Sequence, residues 1–321
     1  MKKPEVKDLI KTRVSLAPMA GITDYVLRSL IREYSPNCLL TTEMISSEAL
    51  TQVKEVDIVA RDENHSPISY QLSGHKPKMI ADCAEYLQKF ADMIDINMGC
   101  PVNKVVKGTD GSALMRNPDL AQEIVRTVKS QIQIPLSVKF RLGYSADDMN
   151  YVEYGQKMQE AGADFITIHA RTRNQMYGGK ADWGKIAELK RNVDIPVFAN
   201  GDVVSVESAI QCIEESKADG VAVGRGALGD VTLIHRIETY LETGKILPPP
   251  TLEEKIQMAK THLNREVEFR GEDVGLKFVR KFYPYYVNGF QGASKYRGQL
   301  VLIDNVKDIN KMLDEILVNI T

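Results

Sequence analysis

Cys100 stands in N-M-G-C-P, between a glycine and a proline that force a tight turn just after the apolar run Met93 to Asn97. A thiol lifted out of a strand end in this way can serve as a nucleophile or an acid. The bland alternative is a small buried hydrophobe, which is how Cys38, Cys83 and Cys212 are read. Lys139 lies between Val138 and Phe140, so a strand there turns its ammonium away from both, toward an anionic or electron-rich ligand or toward a carboxylate such as Glu43. His169 ends I-T-I-H and can be an acid, a donor to a phosphate or carbonyl oxygen, or a satisfied core histidine. A-N-G-D (199–202) and V-G-R-G (223–226) have the glycine content that lets backbone N–H groups approach a phosphate, with Arg225 as a further donor; the alternative is a pair of tight turns.

These residues need a scaffold that brings strand ends together. Short apolar runs recur between helical stretches at Val14–Pro18, Cys38–Thr42, Pro67–Leu72, Met93–Asn97, Leu136–Phe140, Phe165–His169, Pro196–Asn200 and Gly220–Gly224. This βα rhythm predicts a TIM (β/α)8 barrel, whose reactive groups sit at the C-terminal strand ends. An open doubly wound sheet is disfavoured because no early G-x-G-x-x-G follows a strand. Between the runs, Asn117-Pro118 reads as a helix cap and first-turn proline, and Leu120, Ile124, Val125 and Val128 as the buried face that follows.

The barrel pattern stops near Thr243-Gly244, and Leu247-Pro248-Pro249-Pro250 reads as a stiff linker. The division predicted is a barrel over 1–246 and a small all-α domain over 247–321. With a net charge of -2 the whole chain is not a basic body, yet Val274 to Ile303 holds Lys277, Arg280, Lys281, Lys295 and Arg297 and no acid. Phe278, Phe282, Tyr283, Tyr285, Tyr286, Phe290 and Tyr296 are interleaved with them, a mixture suited to phosphate contacts and base stacking, or simply to a helical core with solvated basic faces. The four cysteines show neither C-x-x-C nor metal-ligand spacing, so no metal is expected. With no signal-like or membrane-spanning segment in view, the expectation is a cytoplasmic protein, a monomer with no membrane partner.

A-P-M-A-G-I-T-D (17–24), Q-L-S-G (71–74), D-I-N-M-G-C-P (95–101), G-S-A-L (111–114), V-K-F-R-L-G (138–143), I-H-A-R-T (168–172), A-N-G-D and V-G-R-G together resemble the tRNA-dihydrouridine synthases, with the bacterial B-type enzymes the nearest likeness. The resemblance runs from about Val14 onward and keeps the motif order. It implies an FMN barrel with a helical tRNA-binding domain, reducing the C5=C6 bond of a D-loop uridine with NADPH as electron donor. By position, Pro18, Met19, Gln71, Lys139, His169, Asn200, Asp202, Gly224 and Arg225 match the family's flavin-binding residues, and Gly201 falls inside the same motif. Cys100 falls on its catalytic cysteine, while Asn97, Arg141 and Tyr177 match positions near flavin or uracil. Lys277, Arg280, Lys281 and Arg297 are the expected tRNA contacts. Ala170 replaces a more usual glycine and adds only a methyl.

The implied chemistry is consistent with the residue types. Hydride addition at C6 of uracil builds charge at C5 and O4, and C5 must then receive a proton. A thiol of ordinary acidity, with a pKa of about 8.5, is mostly protonated at neutral pH and can give one. Two other readings compete: an FMN barrel oxidoreductase of the dihydroorotate dehydrogenase kind acting on a free pyrimidine, which has no use for the basic C-terminal segment, and a tRNA-binding protein without catalysis, which has no use for Cys100, Lys139 and His169.

Overall fold

The computed structural model describes residues 4–52, 65–102 and 109–320. Nine parallel strands follow one another in the chain: β1 (Val14–Leu16), β2 (Leu39–Thr41), β3 (Ile45–Ser46), β4 (Ile68–Ser73), β5 (Met93–Asn97), β6 (Leu136–Arg141), β7 (Phe165–His169), β8 (Val197–Asn200) and β9 (Gly220–Val223). Their order is β2-β1-β9-β8-β7-β6-β5-β4-β3, and β2 also pairs with β4, which closes the sheet. Both β2 and β3 lie on β4, at Leu40↔Ile68 and Ile45↔Leu72, so the second barrel strand is one strand broken at Thr42-Glu43-Met44. Each of the eight sequence-predicted runs overlaps a strand of this TIM barrel, two of the strands running one residue further to Ser73 and Arg141, and the break is the feature that the run Cys38–Thr42 did not reveal.

Period-two alternation decides what each strand presents. Ile94, Ile96, Val138, Phe140, Ile166 and Ile168 belong to the large core between the sheet and its helices, and Phe140 meets Tyr154 of the helix Tyr151–Glu160 edge-on at 5.2 Å. The alternate residues face into the barrel. At its floor Leu39, Met93, Phe165, Phe198 and Ala222 pack with Leu9 and Ile10 of the N-terminal segment. Above them lies a polar layer of Thr41, Ser69, Asp95, Ser137 and Thr167, all buried. The mouth is therefore built on a plugged, rigid base.

The helices start where their caps dictate. Asn117 accepts from the Leu120 N–H with Pro118 in the first turn, and the helix buries Ala121, Ile124, Val125 and Val128. Asp24 caps Tyr25–Tyr34 by accepting from the Leu27 N–H. The helix Leu233–Thr243 stops at Gly244, which takes φ +73°, and residues 244–250 carry neither helix nor strand. A capping box of Thr251 with Glu254 then starts Leu252–Arg270, the first of the C-terminal helices. Among the described residues no helix is long and apolar enough to cross a membrane, and no cluster of His, Cys, Asp and Glu is arranged to hold a metal.

Candidate active site

The inward-facing polar residues at the strand ends surround one cavity of about 370 Å³ at the C-terminal mouth of the barrel. Sheet register sets who stands beside whom: Asn97 pairs with Lys139, Arg141 with His169, and His169 with Asn200. A chain of hydrogen bonds climbs from the polar layer to the rim. Ser137 Oγ and Gln71 Nε2 each donate to the Asp95 carboxylate at 2.6 Å, and Asn97 Nδ2 donates to Gln71 Oε1 at 2.8 Å. Asn97 Oδ1 in turn accepts from the Gly99 and Cys100 N–H groups at 3.2 and 2.9 Å. Ser112 Oγ and N–H hold the Cys100 carbonyl from the other side, at 2.9 and 3.1 Å. The turn is thus fixed by its neighbours, and Gly99 packs closely on the next strand, where a Cβ would stand 3.2 Å from the Phe140 Cα. Cys100 lines the cavity and is part-exposed, whereas Cys38, Cys83 and Cys212 are buried.

Lys139 is half-buried and lines the cavity, with no hydrogen-bond or ion-pair partner among the described residues. Burial, with Arg141 alongside, pushes its ammonium down to about 8 against the pull of Asp95. The carboxylate that faces it is thus Asp95 and not Glu43, which instead accepts from the Gly21 N–H across the break in the second strand. Burial also raises Asp95, opposed by its bonds from Ser137 and Gln71 and by Lys139. His169 is held well below its usual range by burial and by Lys139, Arg141, Arg171 and Arg225 around it, so it is neutral at pH 7. Positive charge dominates the cavity. The Asp202 carboxylate is already held by Arg171 at 2.7 Å.

At the last two strand ends, Asn200 Nδ2 donates to the Ala222 carbonyl at 2.8 Å, and Gly201 and Asp202 turn the chain with φ +120° and +58°. A Cβ on Gly224 would meet nothing closer than 3.7 Å, so this stretch is open to a ligand, while one on Gly226 would strike the Val203 carbonyl at 2.4 Å. Arg225 is about half exposed, 3.9 Å from Asp202 and stacked under Tyr177 at 5.0 Å. Pro18 and Met19 line the cavity beside them.

Arg141 is more constrained than a free substrate contact. Its Nε donates to the Gly99 carbonyl at 2.8 Å and its Nη1 to Thr172 and Met176 carbonyls at 3.1 and 2.8 Å, which ties the Cys100 turn to the loop carrying Tyr177. Tyr177 itself is exposed at the rim.

The C-terminal helices reach this mouth. Tyr285 lines the cavity, Lys281 donates to the Gly21 carbonyl, and Arg270 bridges Asp24 at 2.5 Å and Glu266 at 2.7 Å. Of the expected RNA contacts, Lys277 is exposed, whereas Arg280 donates to the Ile303 carbonyl at 3.3 Å and Arg297 to the Val287 carbonyl at 2.9 Å. Lys281 sits 3.1 Å over the Phe278 ring as well. Phe282, Tyr283 and Tyr286 are buried, so those three aromatics are core and not stacking surfaces. Sequence reasoning gave no role to Asp95, placed Arg171 at a strand end without a partner, and named Tyr285 only among the C-terminal aromatics. For Asp95 the alternation M-I-D-I-N carried the signal.

The model of the family described as Dihydrouridine synthase (Dus) matches residues 15–321. A probable tRNA-dihydrouridine synthase 1 from Synechocystis is 41% identical over 95% of this chain and 86% of its own length. Proteins named tRNA-dihydrouridine synthase B are 36% identical in Shewanella oneidensis, over 87% of each chain, and in Pseudomonas aeruginosa, over 90% of this chain and 88% of that one. A solved structure of a variant of NCR from Zymomonas mobilis shares the fold at TM-score 0.50 and 14% identity, over 76% of this chain and 90% of that one. With the family model spanning nearly all of the chain and relatives of this similarity along its length, the chain belongs to the dihydrouridine synthase family.

Proposed function

We propose that the protein is a tRNA-dihydrouridine synthase that reduces the C5=C6 bond of D-loop uridine with FMN as cofactor and NADPH as electron donor. The observation that carries this reading is Lys139, a half-buried lysine without a hydrogen-bond or ion-pair partner among the described residues, lining a cavity whose rim holds the Cys100 turn. Such a group is suited to an anionic or electron-rich ligand in the cavity. The residues fit FMN: Lys139, Gln71 and His169 under a ring system, and the open stretch at Gly224 with Arg225 for a phosphate. FMN, when bound and reduced, supplies the hydride for C6. The protein's share is position and charge: Lys139 and neutral His169 donate to ring oxygens, Asn97 holds the turn, and Cys100 gives its proton to C5. The target base must leave its stack to enter so enclosed a site, which favours a flexible RNA loop.

In this reading residues 1–246 form the catalytic domain and 247–321 dock the tRNA, in the cytoplasm where tRNA is found. Purified protein should be yellow and release FMN on denaturation. Recovery of FAD, or of no flavin after supplementation, would overturn the assignment.

The exposed basic residues give a second expected result. Lys277→Glu with Lys295→Glu should weaken tRNA binding and lower its salt dependence by roughly two released counterions, leaving the flavin spectrum unchanged. Filter binding across a salt series measures it. Unchanged affinity at low salt would mean that the RNA lies on another face.

A further inference from the structure

Arginine seldom lies fully inside a protein, yet Arg171 is 2% exposed. Its Nε donates to the Gly178 carbonyl at 3.0 Å and its Nη2 to the Gly179 carbonyl at 2.7 Å. The same Nη2 lies 2.8 and 2.7 Å from the two carboxylate oxygens of Asp202, and Nη1 lies 3.4 Å from His169 Nε2. One guanidinium therefore joins the ends of β7 and β8 to the two residues that follow Tyr177. On the other side of Tyr177, Arg141 holds the Thr172 and Met176 carbonyls. Met176 takes φ +53°, a costly value for a residue other than glycine, between carbonyls anchored on both sides of Tyr177.

A guanidinium donates and never accepts, so the ring nitrogen that faces it must present a lone pair. For His169 that nitrogen is Nε2. The same edge of the ring is pressed toward Gly201, where a Cβ would stand 3.0 Å from Cδ2 and 3.3 Å from Nε2. Nδ1 has no hydrogen-bond partner among the described residues, and His169 lines the cavity.

We propose that Arg171 is a positioning residue of the reaction: it holds His169 as the Nδ1–H tautomer, so that Nδ1–H is the donor available to an acceptor in the cavity, and it pins the Tyr177 loop at the mouth. This rests on the reading of the cavity as a site for FMN and uracil, both of which offer carbonyl oxygens. Arg171 is not among the residues that line that cavity. Its effect passes through His169, Asp202 and the loop backbone, and lysine cannot replace it, because one ammonium cannot serve two carbonyls, a carboxylate and a ring nitrogen in this planar arrangement.

The test uses FMN-loaded protein labelled with [15N]histidine, in which two-bond NMR correlations tell a protonated ring nitrogen from a bare one. The chain has 5 histidines, and the His169 signals are those missing from His169→Gln. Wild-type protein should show neutral His169 with its proton on Nδ1; a proton on Nε2, or an imidazolium, overturns the proposal without any Arg171 variant. In Arg171→Lys the single tautomer should be lost, and trypsin should cut after Lys180 about tenfold faster as the loop opens. Reaction of the reduced enzyme with tRNA should slow by about 10²-fold, the scale of an ångström-level misplacement. An unchanged tautomer and unchanged cleavage in Arg171→Lys overturn the proposal. Neither of these readouts involves tRNA, so wild-type protein inert toward tRNA would sink the proposed function separately.

Discussion

Cys100→Ala is expected to bind FMN and tRNA and to accept electrons from NADPH as wild type does, yet to fail in the half-reaction with uridine. Among the described residues the thiol has no hydrogen-bond partner, and the turn is held through the backbone of Gly99 and Cys100 by Asn97, Arg141 and Ser112. Removing it therefore deletes an acid and little else. Loss of one positioned general acid costs about 10² to 10⁴ in rate, beyond what trimming a part-exposed side chain does to a folded enzyme. Rapid mixing of reduced variant with tRNA lacking dihydrouridine measures it. Flavin reoxidation within a few-fold of wild type would return Cys100 to a structural role.

Lys139→Met is expected to have an effect of similar size at the other face of the reaction. An ammonium that faces developing negative charge contributes about 10² to 10³ in rate, so flavin reduction by NADPH should fall by that factor in protein reconstituted with excess FMN. The sign of the pH dependence follows from the ammonium being pushed down to about 8. Below that value Lys139 is charged and above it neutral, so flavin reduction in wild type should fall on the alkaline side, shifted upward by whatever anionic ligand is bound. Lys139→Met should lack this alkaline limb. In flavin-free protein the linkage runs the other way. Between about 8 and the ordinary 10.5 the unfolded chain binds a proton that the folded one does not, so the Lys139 contribution to stability rises with pH across that window and is absent from the variant. Thermal unfolding from pH 8 to 10.5 checks it. An alkaline limb in Lys139→Met identical to that of wild type would assign the titration to another group.

The eight barrel strands were legible because burial on both faces leaves a compact apolar run, and the residue ending each run announced the rim. Alternation within the runs said more. In S-V-K-F-R and I-T-I-H the apolar residues pack outward on helices and the others face the barrel, so Lys139 and His169 could be aimed from sequence. The break between β2 and β3 could not, because Thr42 and Met44 look no different from strand residues until Glu43 reaches Gly21. Nor could Arg171 be separated from Arg173, since its burial depends on Asp202, 31 residues away, and on two glycine carbonyls in a loop. The basic C-terminal segment was legible as composition only. Which of its cations face solvent is decided by contacts such as Lys281 with Gly21, 260 residues apart, and by the burial of Phe282, Tyr283 and Tyr286 against the preceding helix.

The central claim, that this cavity carries electrons from NADPH to a uridine of tRNA, is tested most directly by one anaerobic experiment. Protein loaded with FMN is reduced by one equivalent of NADPH, then mixed with tRNA lacking dihydrouridine, and both the flavin absorbance and the dihydrouridine content of the tRNA are followed. The account predicts reoxidation of the flavin with one dihydrouridine formed per flavin, and no reoxidation by free uracil, orotate or uridine. Reoxidation by a free pyrimidine with tRNA left unmodified would contradict it.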